Sequence, residues 1–430
     1  MLPPDQIKEL DLAIYNYLLN HNKNESAKHF AEESEHITEN NLQNSEKNIL
    51  ERKWFTIIKL QSKIIELEKK LAFAEEQLSR GVRKITTNEK NIEKIIHPSL
   101  QLKHIFKGHR DTVNCVAFHL SEPIFASGCI DGSIRIYDYE LNEQNALLRS
   151  HTHSVNCLKW HGNQLISGSS DMTLKIWKDS KNDSNINPQD LVCFSTLVGH
   201  EHTVSDLVNI NETELIISVS RDKSLRVWDL STGYCKKTFL DFHDDWIRCL
   251  DIKSNLLASA GNGREIKVID INHQILKGEE GLDNLNIKFL STFQGHDNIV
   301  ETVCFIKSEN KELDNILLSG SRDKLVIAWN YLSGEIIHKF SGHENWVKDI
   351  TVIPNSNFFI SVGEDKTIRI WDISKKRCVY IERSAHDHFL TCCDILPEYM
   401  VLLTASVDKN SKIWQITNTQ MENILNTQSL

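Results

Sequence analysis

The sequence predicts an all-β ring of seven small sheets, a β-propeller, preceded by an α-helical region that pairs two copies of the chain. Three observations carry this reading. A Gly-His dipeptide or an equivalent recurs seven times beyond residue 100. An apolar seam of heptad spacing runs through residues 57–78. Near residue 100 the pattern switches from helical spacing to short β runs punctuated by turns.

The helical region comes first. Residues 1–37 read as two short helices. Leu10, Ile14, Tyr17 and Leu18 recur at helical spacing in the first, and Ala27 and Phe30 share a face of the second. Helices this short cannot bury an apolar stripe alone, so a second copy of the chain is the expected partner. Residues 50–85 read as one long polar helix. Its seam is Ile57, Leu60, Ile64, Leu67, Leu71, Ala74 and Leu78, alternating steps of three and four, the a and d positions of a two-stranded coiled coil. Residues 86–100 form a polar linker, and 417–430 a polar tail.

Residues 101–416 carry the repeat. Its histidines, His109, His151, His200, His243, His296, His343 and His386, lie 42, 49, 43, 53, 47 and 43 residues apart. Turn aspartates follow at Asp131, Asp171, Asp222, Asp323, Asp365 and Asp408. Six residues after each comes an aromatic: Tyr137, Trp177, Trp228, Trp329, Trp371 and Trp414. Four residues before each comes a hydroxyl: Ser127, Ser167, Ser218, Ser319, Ser361 and Thr404. The fourth repeat departs, with Gly263 and Ile269 at the aspartate and aromatic positions. A lone four-stranded sheet cannot cover both faces, and radial stacking covers them. The His, Ser/Thr, Asp and Trp set can form a buried hydrogen-bonded relay from loop to strand. Residues 101–107 look like a strand without a repeat, and the last repeat ends one strand short, so the first strand is expected to complete the seventh blade. Insertions at 178–192, 272–288 and 307–315 read as solvated loops.

The repeat resembles WD-repeat proteins, whose terminal dipeptide stands here as Trp228-Asp229 and Trp371-Asp372. In such propellers the third and fifth residues after the histidine, and the residue before the turn aspartate, reach the narrow top face. Blades 1 and 2 place small or neutral residues there. Later blades place Arg221, Trp246, Arg248, Arg322, Trp346 and Lys348, with Lys366 just after its aspartate. Exposed Trp and Arg are the usual anchors of protein interfaces.

Composition limits the function classes. Net charge is −10, which argues against nucleic-acid binding, and no apolar run approaches the roughly 20 residues that cross a bilayer. Met1-Leu2-Pro3-Pro4-Asp5 has no signal-peptide pattern, so the ten cysteines are expected to be reduced thiols in the cytoplasm. Cys115, Cys157, Cys249 and Cys392 occupy equivalent positions and read as small core residues. Ser, His and Asp recur at fixed register, as fold-maintaining groups do, whereas a nucleophilic triad occurs once. No phosphate loop or nucleophile elbow is present. Gly128, Gly132 and Gly168 read as turn glycines. In the pairs His151/His153, His200/His202 and His386/His388 one member is the repeat histidine, so no metal or other cofactor is expected and the chain reads as a non-enzyme.

The order of parts carries a second resemblance. The run Leu10, Ile14, Tyr17, Leu18, Phe30, Glu33 resembles a LisH dimerisation motif, with Asn22 where that motif usually has glycine. A LisH motif, a short coiled coil and a seven-bladed WD propeller together resemble the lissencephaly-type nuclear distribution proteins. That resemblance implies a homodimer that binds the cytoplasmic dynein heavy chain through the propeller, with Arg221, Arg248, Arg322, Trp346 and Lys366 at matching contact positions. It further implies a NudE-type coiled-coil adaptor, indirect association with microtubule plus ends and spindle poles, and roles in nuclear migration and spindle positioning. The other readings are a LisH/WD-repeat nuclear corepressor subunit, which predicts a basic import signal, and a ubiquitin-ligase substrate receptor, which predicts an F-box-like helix. Neither a basic import signal nor the longer intervening domain that the first reading also predicts is visible in residues 38–100, and no F-box-like helix is found in the sequence.

Overall fold

A computed structural model describes residues 98–180, 187–210, 213–271, 289–307 and 313–417, together with Ile14, Leu18, Lys23 and residues 25–28. The chain divides into two compact units, 1–95 and 96–430. In the first, Ile14 and Leu18 are helical and half-buried, and Ala27 is buried. Leu10, Tyr17, Phe30 and the seam residues Ile57, Leu60, Ile64, Leu67, Leu71 and Leu78 lie outside the described residues, as does the whole predicted coil.

The second unit is seven four-stranded antiparallel sheets. Six are built from consecutive strands. The seventh joins Ser99–Phe106 to the last three strands of the chain, so the ring closes on its own beginning. This is the predicted closure, and the closing strand starts two residues inside the predicted linker. Inner strands such as Ile124–Cys129, Ile316–Ser321 and Val401–Ser406 are buried at every residue because neighbouring blades cover both their faces. Outer strands such as Leu191–Val198 alternate. Residues 181–186, 272–288 and 308–312 of the predicted insertions lie outside the described residues.

Two glycines differ from expectation. Gly128 and Gly168 sit within inner strands, where a Cβ would stand 2.6 and 2.5 Å from the sulfurs of Cys115 and Cys157. Those cysteines sit on the paired strand of the same blade, and Val155 and Val204 of the neighbouring blades come within 2.7 Å of the same points, so both glycines are demanded by close approach from two sides. Gly132 alone of the three is a turn residue, with φ +80°.

The first strand of each blade lies along an axial cavity of about 820 Å³, and as a sheet edge it carries backbone groups that need partners. Side chains of neighbouring blades supply many of them. Asp206 accepts from Leu250 N (2.8 Å), Asp251 from Phe305 N (2.7 Å), Asp349 from Cys393 N (2.9 Å) and Asp394 from Phe118 N (2.8 Å). In the early blades amides take over: Asn114 Nδ2 donates to Val155 O and Asn156 Nδ2 to Val204 O. Lys159 projects among these aspartates. It is exposed to the cavity; enclosure by the surrounding blades would lower its ammonium, but Asp394, Asp206, Asp251 and Asp349 raise it above the ordinary lysine value. Burial pushes the Asp206 carboxyl up to about 7. All ten cysteines are free thiols, and Cys115, Cys157, Cys249 and Cys392 line the cavity, as small packing residues.

Blade 4 supplies a pH prediction. His243 is buried, keeps its bond to Ser259 (2.8 Å) and has no turn aspartate to hold a proton. Burial first, then Lys267, lowers it to about 3. Below its unfolded value of about 6.5 the unfolded chain binds a proton that the folded chain refuses, so its contribution to stability is full above 6.5 and is lost as pH falls from 6.5 toward 3. Asp206 acts in the opposite sense but equally in wild type and variant. In urea unfolding at pH 7 and pH 5.5, the wild type is therefore expected to lose about 1 kcal/mol more than His243→Gln.

Candidate functional site

The repeated Ser-His-Asp trios are interior features. The relay hydroxyls of Ser167, Ser218, Ser319, Ser361 and Thr404 are fully buried. Each contacts its histidine Nε2 at 2.7–2.9 Å and accepts from its tryptophan Nε1 at 2.8–3.0 Å. The histidine Nδ1 meets the turn aspartate at 2.7–2.8 Å in blades 2, 3, 5, 6 and 7. No substrate can reach a serine held this way, so the trios tie each loop to its sheet. Blade 4 lacks the aspartate and aromatic, as expected. Blade 1 also departs, which the sequence pattern did not predict: Asp131 makes no bond to His109, and Tyr137 bonds Lys107 O rather than Ser127.

At one mouth of the axial cavity, blades 3 to 6 assemble a cationic and aromatic network. The Arg221 and Arg248 guanidinia lie over the Trp246 ring, 4.9 and 4.0 Å from its centroid, and Arg322 lies 4.0 Å over Trp346. Trp246 is fixed by its Nε1 bond to Ser205 Oγ (2.6 Å), and Arg248 by its Nε bond to Asn262 Oδ1 (2.7 Å). Glu301 joins the blades. Its carboxylate accepts from Arg322 Nε and Lys348 Nζ (2.8 Å) and pairs with Arg248 at 3.5 Å. Burial would raise the Glu301 carboxyl, but Lys348, Arg248 and Arg322 outweigh it and hold it below its usual value. The cations remain partly open: the side chains of Arg248, Arg322 and Lys348 are 15%, 20% and 21% exposed, against 6% for Glu301.

Six of the seven sequence-selected residues thus meet in one network. Lys366 makes a different contact, donating to Asp387 O at 2.9 Å, although its turn bonds the Trp346 loop through Glu364 N. Lys366 also has φ +64°, and the residues after the turn aspartate in the other blades share this left-handed geometry: Gly132, Met172, Lys223, Lys324 and Lys409, with Arg264 in blade 4. A side chain there costs on the order of 1 kcal/mol, yet five of the seven positions are Lys or Arg. Glu301 was missed by sequence reasoning. It is the fifth residue after His296, the same position that gives Arg248 and Lys348, and selecting for basic and aromatic residues passed over it.

The arrangement has the chemistry of a rigid receptor. It places four cations, two indoles and one buried carboxylate on a fixed scaffold and exposes no nucleophile held for attack. The sevenfold ring and its relays define the class, a WD-repeat propeller. The family model "WD domain, G-beta repeat" matches residues 100–138, 142–178, 191–229, 287–330, 334–372 and 376–415, leaving out the divergent fourth repeat. Among curated relatives, the nuclear distribution protein nudF of Aspergillus niger is 31% identical over 417 residues, covering 91% of this chain and 88% of that protein. The nuclear distribution proteins PAC1 of Gibberella zeae and Coccidioides posadasii are each 32% identical, covering 90% and 91% of this chain and 86% and 85% of theirs. The chain belongs to this nudF/PAC1 family of WD-repeat nuclear distribution proteins.

Proposed function

We propose that this chain serves nuclear distribution as a non-catalytic, dimeric scaffold that binds the cytoplasmic dynein heavy chain at its motor domain. Family membership supports the pathway, and the Glu301-centred network across blades 3 to 6 carries the site assignment. Residues 1–37 and 50–85 supply dimerisation, which lets two propellers engage one motor at high effective concentration. The partner surface is acidic with apolar hollows for the Trp246 and Trp346 edges. Regulation follows from differential binding: a propeller that grips one motor conformation more tightly shifts the motor toward it by that difference alone. NudE-type adaptors, microtubule plus ends and spindle poles enter through the same complex, in the cytoplasm. In a microtubule co-pelleting assay, the chain is expected to pellet only when purified dynein is added. Pelleting without dynein, or a supernatant unchanged by it, refutes the proposal.

A further inference from the structure

Blade 1 differs from its sisters at two linked positions. The serine two residues before the turn aspartate, Ser169, Ser220, Ser321 or Ser406, donates to a loop carbonyl at 2.9–3.3 Å and caps the aspartate N–H at 3.0–3.1 Å. Cys129 stands there in blade 1. The relay tryptophan is replaced by Tyr137, so no indole N–H occupies Ser127 Oγ.

These changes reorganise the histidine. Ser127 donates to Arg135 O (3.4 Å), so its oxygen is free to accept from His109 Nε2–H (2.7 Å). That assignment leaves Nδ1 as a lone-pair donor. His109 is 8% exposed, and its Nδ1 has no hydrogen-bond partner. A ring nitrogen of His109, the Cys129 sulfur and an Asp131 carboxylate oxygen lie within 4.8 Å of one another, the one such trio found among the described residues.

We propose that His109, Cys129 and Asp131 bind a thiophilic divalent cation of the zinc class. One imidazole, one thiolate and one carboxylate form a borderline-soft donor set that suits zinc. Ligands about 2.0–2.3 Å from one ion stand under about 4 Å apart, and rotation of the exposed Asp131 side chain closes the set. Binding releases the Cys129 thiol proton to water. The thiolate and carboxylate then balance the two positive charges, so the nearby Arg135, engaged by Gln144, opposes no excess charge. Ser127 orients the imidazole from behind, as outer partners of metal ligands do. Asp131 borders a surface depression with Arg110 and Arg149, which gives an ion an approach to the site from the Asp131 side. The site goes beyond the sequence expectation of no metal, because its signature is one cysteine and one tyrosine placed off-pattern in a repeat.

Cobalt(II) tests the site on the full-length, chelator-stripped chain. The wild type is expected to take up one cobalt with a thiolate-to-cobalt charge-transfer band and strong tetrahedral d–d absorption, both displaced by zinc. Cys129→Ser restores the residue that four sister blades carry, so it is expected to keep the wild-type circular dichroism and unfolding midpoint while losing the band. Asp131→Asn, which keeps the acceptor used by Ser133, is expected to weaken cobalt binding roughly tenfold or more. No thiolate band in the wild type overturns the proposal, and so does a band that persists in Cys129→Ser, since nine other cysteines could then supply it.

Discussion

Trp329→Ala is expected to lower the unfolding free energy of the propeller by about 4 kcal/mol. The indole is 1% exposed, stacks on Phe293 at 5.5 Å between centroids and donates to Ser319 Oγ at 2.8 Å. Truncation opens a cavity between blades and removes the only indole donor on Ser319, the hydroxyl that also holds His296. The cavity accounts for most of the loss, at about 3–4 kcal/mol, and the hydrogen bond for about 1 kcal/mol. Trp329→Phe separates the two, because it keeps most of the volume and drops the donor; it is expected to cost about 1–2 kcal/mol. Denaturant midpoints at constant m measure both. A loss under about 1 kcal/mol for Trp329→Ala would mean that the relay does not hold its blade.

Blade 4 explains why the sequence can dispense with one relay. Ile269 replaces the indole and is itself 1% exposed, while Phe242, also 1% exposed, packs beside it in the same apolar cluster. The cluster substitutes apolar burial for the missing hydrogen bonds, so the register of Ser259 and His243 survives.

Periodicity made the ring legible. A spacing of 42 to 53 residues, with His, Ser, Asp and Trp in fixed order, dictates four strands per unit, and the unmatched strand before His109 dictates closure through Ser99–Phe106. The axial aspartates were not legible. Asp206 and Asp349 fall one residue after the position of Arg248, while Asp251 and Asp394 fall three after it, so no single offset marks them; each answers an unpaired amide of the next blade. Gly128 was misread for a similar reason: its constraint is Cys115 on the paired strand of its own blade and Val155 of the neighbouring blade, which no local pattern reports. Of the site, the charges and indoles were visible as residue types at repeat positions. Their convergence on Glu301 was not, because an acidic residue in a basic sector reads as dilution until coordinates place it beneath the cations.

That convergence sets the largest expected effect on binding. Arg221→Ala, Arg248→Ala and Arg322→Ala together are expected to weaken binding to purified dynein motor domain at least ~1000-fold, which is about 4 kcal/mol spread over three guanidinia at a desolvated interface. Wild-type affinity should fall with salt, and the triple variant should lose most of that dependence. Glu301→Gln separates contact from positioning. The carboxylate is 6% exposed beneath its cations, so it reaches little of a partner; it holds Arg248, Arg322 and Lys348 at fixed spacing. Without its charge, three half-buried cations repel one another, and the variant is expected to lose about 1–2 kcal/mol of stability and roughly tenfold in affinity, mainly through faster dissociation. Adding a positive charge to the face would strengthen a purely electrostatic grip on an acidic partner. A weaker complex after removal of a negative charge therefore requires that geometry, fixed by Glu301, outweighs net charge at this site.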